Sequence, residues 1–372
     1  MSKHVGQFET LRGVAASWVF ISHAMAIAEL SLWPFNDGGL AVDVFILLSG
    51  FVITLLVNRR PEPYSGYIFR RSMRLYPLYL TALALGLLTQ GYGPPAFAPV
   101  LFGQVASPAW YAVVTGPEVV PNLLLHLTML HGLVPDTILA NASTAFSGPL
   151  WSVSLEWQFY LVAPLIIWLL DVRVPRRRII AAISLVAIFA GQMAAGRLWH
   201  GQVPAFLPLR LPIFAIGVLS GHLWERAQTA PLLKVGAVWF AWIAVLAIAG
   251  RNFAPFVAWG FTYVTAVAHE RSRWANGVNT ILLSRHLRWL GERSYGIYVL
   301  HLPILLFVAA TLIVPFARSL GKPMTFTLLM LVYPLVVVLA AILYRFLERP
   351  IIRWARAVEV ENLIAIRRSR SK

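Results

Sequence analysis

The chain has 372 residues, of which 59% are hydrophobic and only 12% charged, with a mean hydropathy of +0.71. A soluble domain carries about twice that share of charge, so the composition excludes one and describes a polytopic membrane protein. The net charge of +16 would suggest nucleic acid in a soluble chain, but here the basic residues collect between apolar runs, in the pattern that orients a membrane protein, and nucleic acid is excluded as a partner.

Apolar runs long enough to cross a bilayer lie, in chain order, at about 10 to 30, 40 to 57, 74 to 90, 150 to 170, 179 to 198, 206 to 225, 232 to 250, 253 to 270, 290 to 314 and 325 to 347. They predict an all-α integral membrane protein of ten transmembrane helices, because they lack the period-2 alternation of barrel strands and are twice the length such strands need. With the N-terminus placed in the cytoplasm, the basic clusters around Arg12, Arg59 to Arg74, Arg173 to Arg178, Arg226, Arg271 to Arg293 and Arg345 to Lys372 all fall on the cytoplasmic side. Only Arg197, Arg210, Arg251, Arg318 and Lys322 fall on the other. Every loop then obeys the positive-inside rule, and both termini are expected in the cytoplasm.

Segment 91–149 has no Lys or Arg and is rich in Gly and Pro. It reads as an extracytoplasmic loop carrying a short re-entrant or interfacial helix in VVPNLLLHLTMLHGL, since an eleventh span there would invert every later loop. Residues 353–372 read as a basic cytoplasmic tail against anionic lipid. The first span lacks a small-residue cleavage pattern, so no removable leader is expected. The absence of cysteine removes disulfides and thiolate chemistry. No inverted repeat of the transporter kind is evident.

Within the first span, RGVAASWVFISH places Arg12 and His23 on one helix face, roughly 20° past three full turns and about 16 Å apart along the axis. Ionisable groups inside spans are costly and are functional candidates by default. At about 1.5 Å per residue across about 30 Å of hydrocarbon, His23, Glu156, Asp43 and His301 fall at roughly 20, 21, 25 and 16 Å above the cytoplasmic face. Arg12, Arg71 and Arg74 fall close to that face and Arg210 near the outer one. The expected arrangement is a cationic cytoplasmic mouth below a single acid/base layer. Clustered arginines fork onto phosphate oxygens, and a histidine beside a carboxylate is a general base for a hydroxyl. Coenzyme A fits these dimensions, its phosphates among the arginines and its thioester at His23. Glu156 or Asp43 would orient the imidazole. Ser49 is a possible acyl carrier, set against a small residue packed between helices. The plain alternatives are that Arg71 and Arg74 only set topology, and that Glu156 and His301 sit in satisfied structural pairs.

These residues carry a resemblance. FETLRGVAASWVFISHA, GGLAVDVFILLSGFVIT, FRRSMRLYPLYL, WSVSLEWQFYLVAPL, LGERSYGIYVLHLPI and FLERP occur in that order, and the sequence resembles the membrane acyltransferase-3 family, ten-span proteins that acylate carbohydrates and related envelope molecules. The resemblance covers about residues 6 to 352, and residues 1–352 are read as one transmembrane domain. It implies transfer of an acyl group, usually acetyl, from cytoplasmic acyl-CoA to a hydroxyl of a glycan or lipid-linked saccharide in the bacterial inner membrane. It implies His23 as the catalytic histidine, Arg12 as its motif partner, and Arg71 and Arg74 as the Arg-x-x-Arg pair. Arg210, His301 and Tyr298 are assigned to the acceptor substrate. The fused extracytoplasmic esterase-like domain of one branch is not expected here, so the chain is expected either to complete acylation itself or to use a separate extracytoplasmic acyltransferase partner. The competing class is a transporter or flippase of an anionic or glycan substrate with an intramembrane proton relay; an envelope-assembly scaffold ranks last. No metal site is expected, His126 and His131 reading as a polar helix edge.

Overall fold

Backbone polar groups left open in hydrocarbon are costly, so each apolar run must close its own hydrogen bonds. Accordingly, every regular element among the described residues is helical. The computed structural model describes residues 6–59, 62–92, 113–248 and 252–358. Lys3, Arg60 and Arg251, part of the expected loop, and the tail beyond residue 358 lie outside the described residues. The α-helices are α1 Gly6–Ile27, α2 Gly38–Arg59, α3 Tyr64–Thr89, α4 Val119–Leu127, α5 Leu150–Leu169, α6 Arg178–Leu198, α7 Leu207–Thr229, α8 Leu232–Ile248, α9 Ala254–Val267, α10 Arg273–Leu282, α11 Arg285–Glu292, α12 Ser294–Val308, α13 Val314–Met330 and α14 Tyr333–Leu343.

Among the described residues, seven segments are long and apolar enough to cross a membrane: Gly6–Ile27, Gly38–Arg59, Leu150–Leu169, Pro175–Leu198, Leu207–Thr229, Ser294–Ile313 and Leu320–Val358. Two further apolar helices, Leu232–Val245 and Ala254–Val267, are shorter. Helix α3 is long enough but carries Arg70, Arg71 and Arg74 in its first half. The run expected at 74 to 90 therefore begins a helix earlier than its apolar stretch does. Pro63 sets the start, and the arginines that follow are good helix formers. The run expected from 290 starts at Ser294, because residues 273–292 form the short helices α10 and α11 ahead of it. Helix α13 kinks at Gly321, ahead of the run expected from 325, where a φ of 70° admits only glycine comfortably, and a π-helical turn, Tyr344–Glu348, follows α14.

Helix α12 sits at the centre. Its residues from Ser294 to Pro303 are all buried, as expected for a helix apolar on every side. Helices α2 and α7 approach until a Cβ at Gly50 would overlap the Phe214 carbonyl and one at Gly217 the Leu47 carbonyl. Such small-residue contacts bring backbones together where no hydrophobic force separates protein from lipid. At the end of the bundle where α1 begins, Phe8 and Phe51 (ring centroids 4.7 Å apart), Trp259 (5.3 Å from Phe51) and Trp224 (5.4 Å from Phe51) pack α1, α2, α7 and α9 together. At that same end, Arg173 donates to Asp171 Oδ1 at 2.8 Å and to Asn58 Oδ1 at 3.0 Å. This guanidinium holds the Asp171 carboxyl below its ordinary pKa.

At the opposite end the 114–149 segment folds onto the bundle. Tyr79 donates to the His126 carbonyl at 2.9 Å and the Gly132 amide to Ser154 Oγ at 3.0 Å. His126 and His131 do not form a polar edge. Both are fully buried, with rings stacked 3.8 Å apart at 4°. The reason is that α4 turns its Asn122 and His126 side toward the bundle, where backbone carbonyls take the ring protons.

Candidate active site

A cavity of about 110 Å³ runs along the bundle interior between α1, α2, α3, α5, α7 and α12. On α2 its wall extends from Val42 to Ile53, a rise of about 16 Å, so it is an elongated slot rather than a bowl. One face of α5 measures it out. Ser152, Glu156 and Tyr160 all line the slot, each four residues and about 6 Å from the next, as i, i+4 spacing on a helix dictates.

At the Tyr160 end stand the cations Arg12, Arg71 and Arg74. They are held differently. Arg74 donates to Glu348, which is 1% exposed, and lies 5.8 Å from the Tyr295 ring centroid. Arg71 lies 5.8 Å over the Tyr160 ring, and its buried Nε has no hydrogen-bond partner among the described residues. Arg12 is 3.8 Å from Glu9. Midway, Glu156 Oε1 accepts from Ser49 Oγ at 3.0 Å and from the Tyr160 hydroxyl. At the far end the Tyr298 hydroxyl meets Ser152 Oγ at 2.6 Å and donates to the Pro149 carbonyl at 3.1 Å.

One helical turn beyond Tyr298 the next polar group begins. His301 Nδ1 is 2.6 Å from the Tyr298 carbonyl oxygen. A carbonyl only accepts, so Nδ1 carries the proton and, in the neutral ring, Nε2 accepts. His23 Nδ1 lies 3.1 Å from that Nε2 and 3.0 Å from the Val19 carbonyl. Both are acceptors, so Nδ1 of His23 is protonated and its lone pair resides on Nε2.

The expected single layer of titratable groups therefore divides. Among the described residues, the slot wall includes Glu156 but not His23, His301, Asp43 or Arg210. His23 pairs with His301, where a carboxylate was expected. Asp43 pairs with Arg210, 3.3 Å away on α7, which occupies the arginine assigned to substrate. Equal estimated depth failed to mean adjacency because the estimate treats every helix as upright and starting in one plane. Arg12, Arg71, Arg74 and Tyr298, in contrast, do converge on one cavity. Sequence reasoning missed the Ser152–Glu156–Tyr160 stripe, which its i, i+4, i+8 spacing would have revealed, and the Glu348 partner of Arg74, which no local signal reveals. Ser49 is the cavity residue, while its neighbour Gly50 makes the close helix contact. Among the described residues, no group of three or more His, Asp or Glu side chains is placed to hold a metal.

Arginines at one end of a narrow intramembrane slot and a histidine pair beyond the other suit a long anionic donor and a general base. Residues 5–345 match the acyltransferase domain family. The chain belongs to this family of acyltransferases. It is 28% identical over 345 residues to the exopolysaccharide production protein ExoZ of Rhizobium meliloti (strain 1021), covering 90% of this chain and 95% of the relative. It is also 28% identical over 297 residues to the acyltransferase MdmB of Streptomyces mycarofaciens, covering 72% and 68%. Against the peptidoglycan O-acetyltransferase OatA of Listeria monocytogenes serovar 1/2a the identity is 25% over 390 residues, 94% of this chain but only 56% of the relative. The acyltransferase thus spans little more than half of that longer protein. No solved structure matches it. The family and the apolar helices together make it a multi-pass membrane enzyme.

Proposed function

We propose that this acyltransferase is an inner-membrane O-acetyltransferase that moves acetyl from cytoplasmic acetyl-CoA to a hydroxyl of an envelope glycan or lipid-linked saccharide. In this reading α3, α8 and α9 join the seven long apolar segments as crossings, for ten in all, and both termini are cytoplasmic. The observation that carries the reading is the slot itself, with its cations at one end and its other end one turn from the His23–His301 pair. The named activities of ExoZ and OatA support a polysaccharide acceptor.

The nucleotide phosphates bind Arg71 and Arg12, with Arg74 held in place by Glu348. The pantetheine arm fills the slot and brings the thioester past Tyr298. His23 Nε2 takes the proton of the acceptor hydroxyl, whose oxygen attacks the thioester carbonyl. The carbon–sulfur bond of the tetrahedral intermediate breaks, and the imidazolium returns its proton to the departing CoA thiolate. The Nδ1–H bond to His301 holds the neutral His23 ring in the tautomer whose Nε2 can take a proton.

The test uses purified protein in detergent micelles with radiolabelled acetyl-CoA. His23→Ala is expected to bind the donor and lose transfer, and Arg71→Ala to bind it about tenfold more weakly, the scale of a charge-assisted hydrogen bond. Unchanged transfer by a folded His23→Ala protein sinks the base assignment. Failure to bind any acyl-CoA, with substrate flux in liposomes, replaces this reading with the transporter.

A further inference from the structure

Glu156 is the one carboxylate on the slot wall among the described residues. Both of its hydrogen bonds, from Ser49 and Tyr160, arrive at Oε1. Oε2 receives none among the described residues. The side chain is partly exposed although it lies mid-helix, and the surface it exposes is that of the slot. A carboxylate oxygen facing a confined intramembrane cavity without a donor is costly, and such positions ordinarily mark where a ligand or water completes the set.

The α5 stripe says where along a ligand that donor would come. Glu156 is about 6 Å from Tyr160, over which Arg71 lies, and about 6 Å from Ser152, which holds Tyr298. An acyl-CoA threaded from the arginines toward His23 presents, at that intermediate point, neither phosphate nor thioester but the stretch of pantetheine that carries two secondary amides. These amides are the only N–H groups of the arm. We infer that Glu156 Oε2 accepts the N–H of one of these amides, so that the residue selects for an amide-bearing donor arm and does not orient His23. The inference rests on the reading of the donor as acyl-CoA. Ser49 and Tyr160 are then positioning residues. By donating to Oε1 they turn the other oxygen to the ligand.

The chemistry gives a sharp variant. In Glu156→Gln the two protein hydroxyls still need an acceptor, so they take the amide oxygen and leave the Gln NH₂ facing the slot. A donor then opposes the donor of the pantetheine amide. It matches an ester oxygen at the same position, which accepts.

Binding to the full chain in detergent micelles is measured by calorimetry for acetyl-CoA and for two analogues, each with one arm amide replaced by an ester. For the unsubstituted protein one analogue is expected to bind about tenfold more weakly than acetyl-CoA, or worse, as for loss of a hydrogen bond to a charged group. In Glu156→Gln that preference is expected to vanish or invert, a change that mere structural damage does not produce. The unsubstituted protein carries the first comparison by itself, so a variant that fails to fold does not shelter the idea. Equal binding of acetyl-CoA and both analogues overturns the inference and leaves the donor reading standing. No binding of acetyl-CoA at all overturns the donor reading and this inference with it.

Discussion

Replacing His301 separates two roles that its place in the fold could serve, positioning of His23 or contact with substrate. His301→Phe keeps the ring volume against Phe20 but removes the Nε2 acceptor 3.1 Å from His23 Nδ1. In the resting enzyme that bond is neutral and worth about 1 kcal/mol, and the Val19 carbonyl at 3.0 Å substitutes for it in part. In the proposed mechanism His23 takes the acceptor proton, and the same bond is then charge-assisted and worth about 1.5–3 kcal/mol. Only the difference, about 0.5–2 kcal/mol, falls on the transition state, and kcat is expected to drop roughly 2- to 30-fold with little change in KM for acetyl-CoA. His301→Gln, whose carbonyl oxygen can accept, is expected to recover part of the rate. The assay is incorporation of radiolabelled acetyl into the glycan fraction of membrane vesicles over a range of acetyl-CoA and acceptor concentrations. An unchanged kcat with a raised KM in His301→Phe would refute the positioning role and return His301 to the substrate.

Three further outcomes follow from features away from the bases. Glu348→Gln leaves the Arg74 guanidinium beside a neutral partner in a largely buried place, and a lower unfolding midpoint is expected, on the scale of about 3 kcal/mol; pairing Glu348→Leu with Arg74→Met should restore the midpoint in a thermal melt. Gly217→Ala drives a methyl into the Leu47 carbonyl, and a loss of about 1–3 kcal/mol is expected from the same melt. Burial lowers the His126 imidazole to about 4 and His131 well below its usual value, the latter with help from the neighbouring ring. The unfolded chain then binds protons before the folded one does, so stability should fall as pH drops from about 6.5 toward about 4 and be level above that window. A melt series in which His126→Phe shows the same acid slope as the parent would remove the stacked pair from that account.

What could be read from the sequence was whatever depends on periodicity within one helix. Arg12 and His23 lie eleven residues apart on α1, and the run lengths located the apolar helices to within several residues. Arg71 and Arg74 could be paired in the same way, although their helix begins before its apolar part. Contacts between distant stretches were beyond such reasoning. His23 meets a ring 278 residues away, and Asp43 meets an arginine 167 residues away. Hydropathy records how deep a residue lies and leaves open which of its neighbours stands beside it. Glu156 shows the cost. Assigned by depth to the histidine, it belongs by helix face to the slot, with Ser49 and Tyr160 on its first oxygen.

The Arg74–Glu348 pair joins residues 274 positions apart. In a chain threaded into the bilayer from its first helix onward, Arg74 enters long before its counter-ion is synthesised. Until Glu348 follows, that guanidinium lacks the carboxylate that holds it beside the slot. A nascent chain therefore lacks the pair that fixes Arg74 at the slot. The entrance that the proposed donor would use is complete only after translation has passed Glu348.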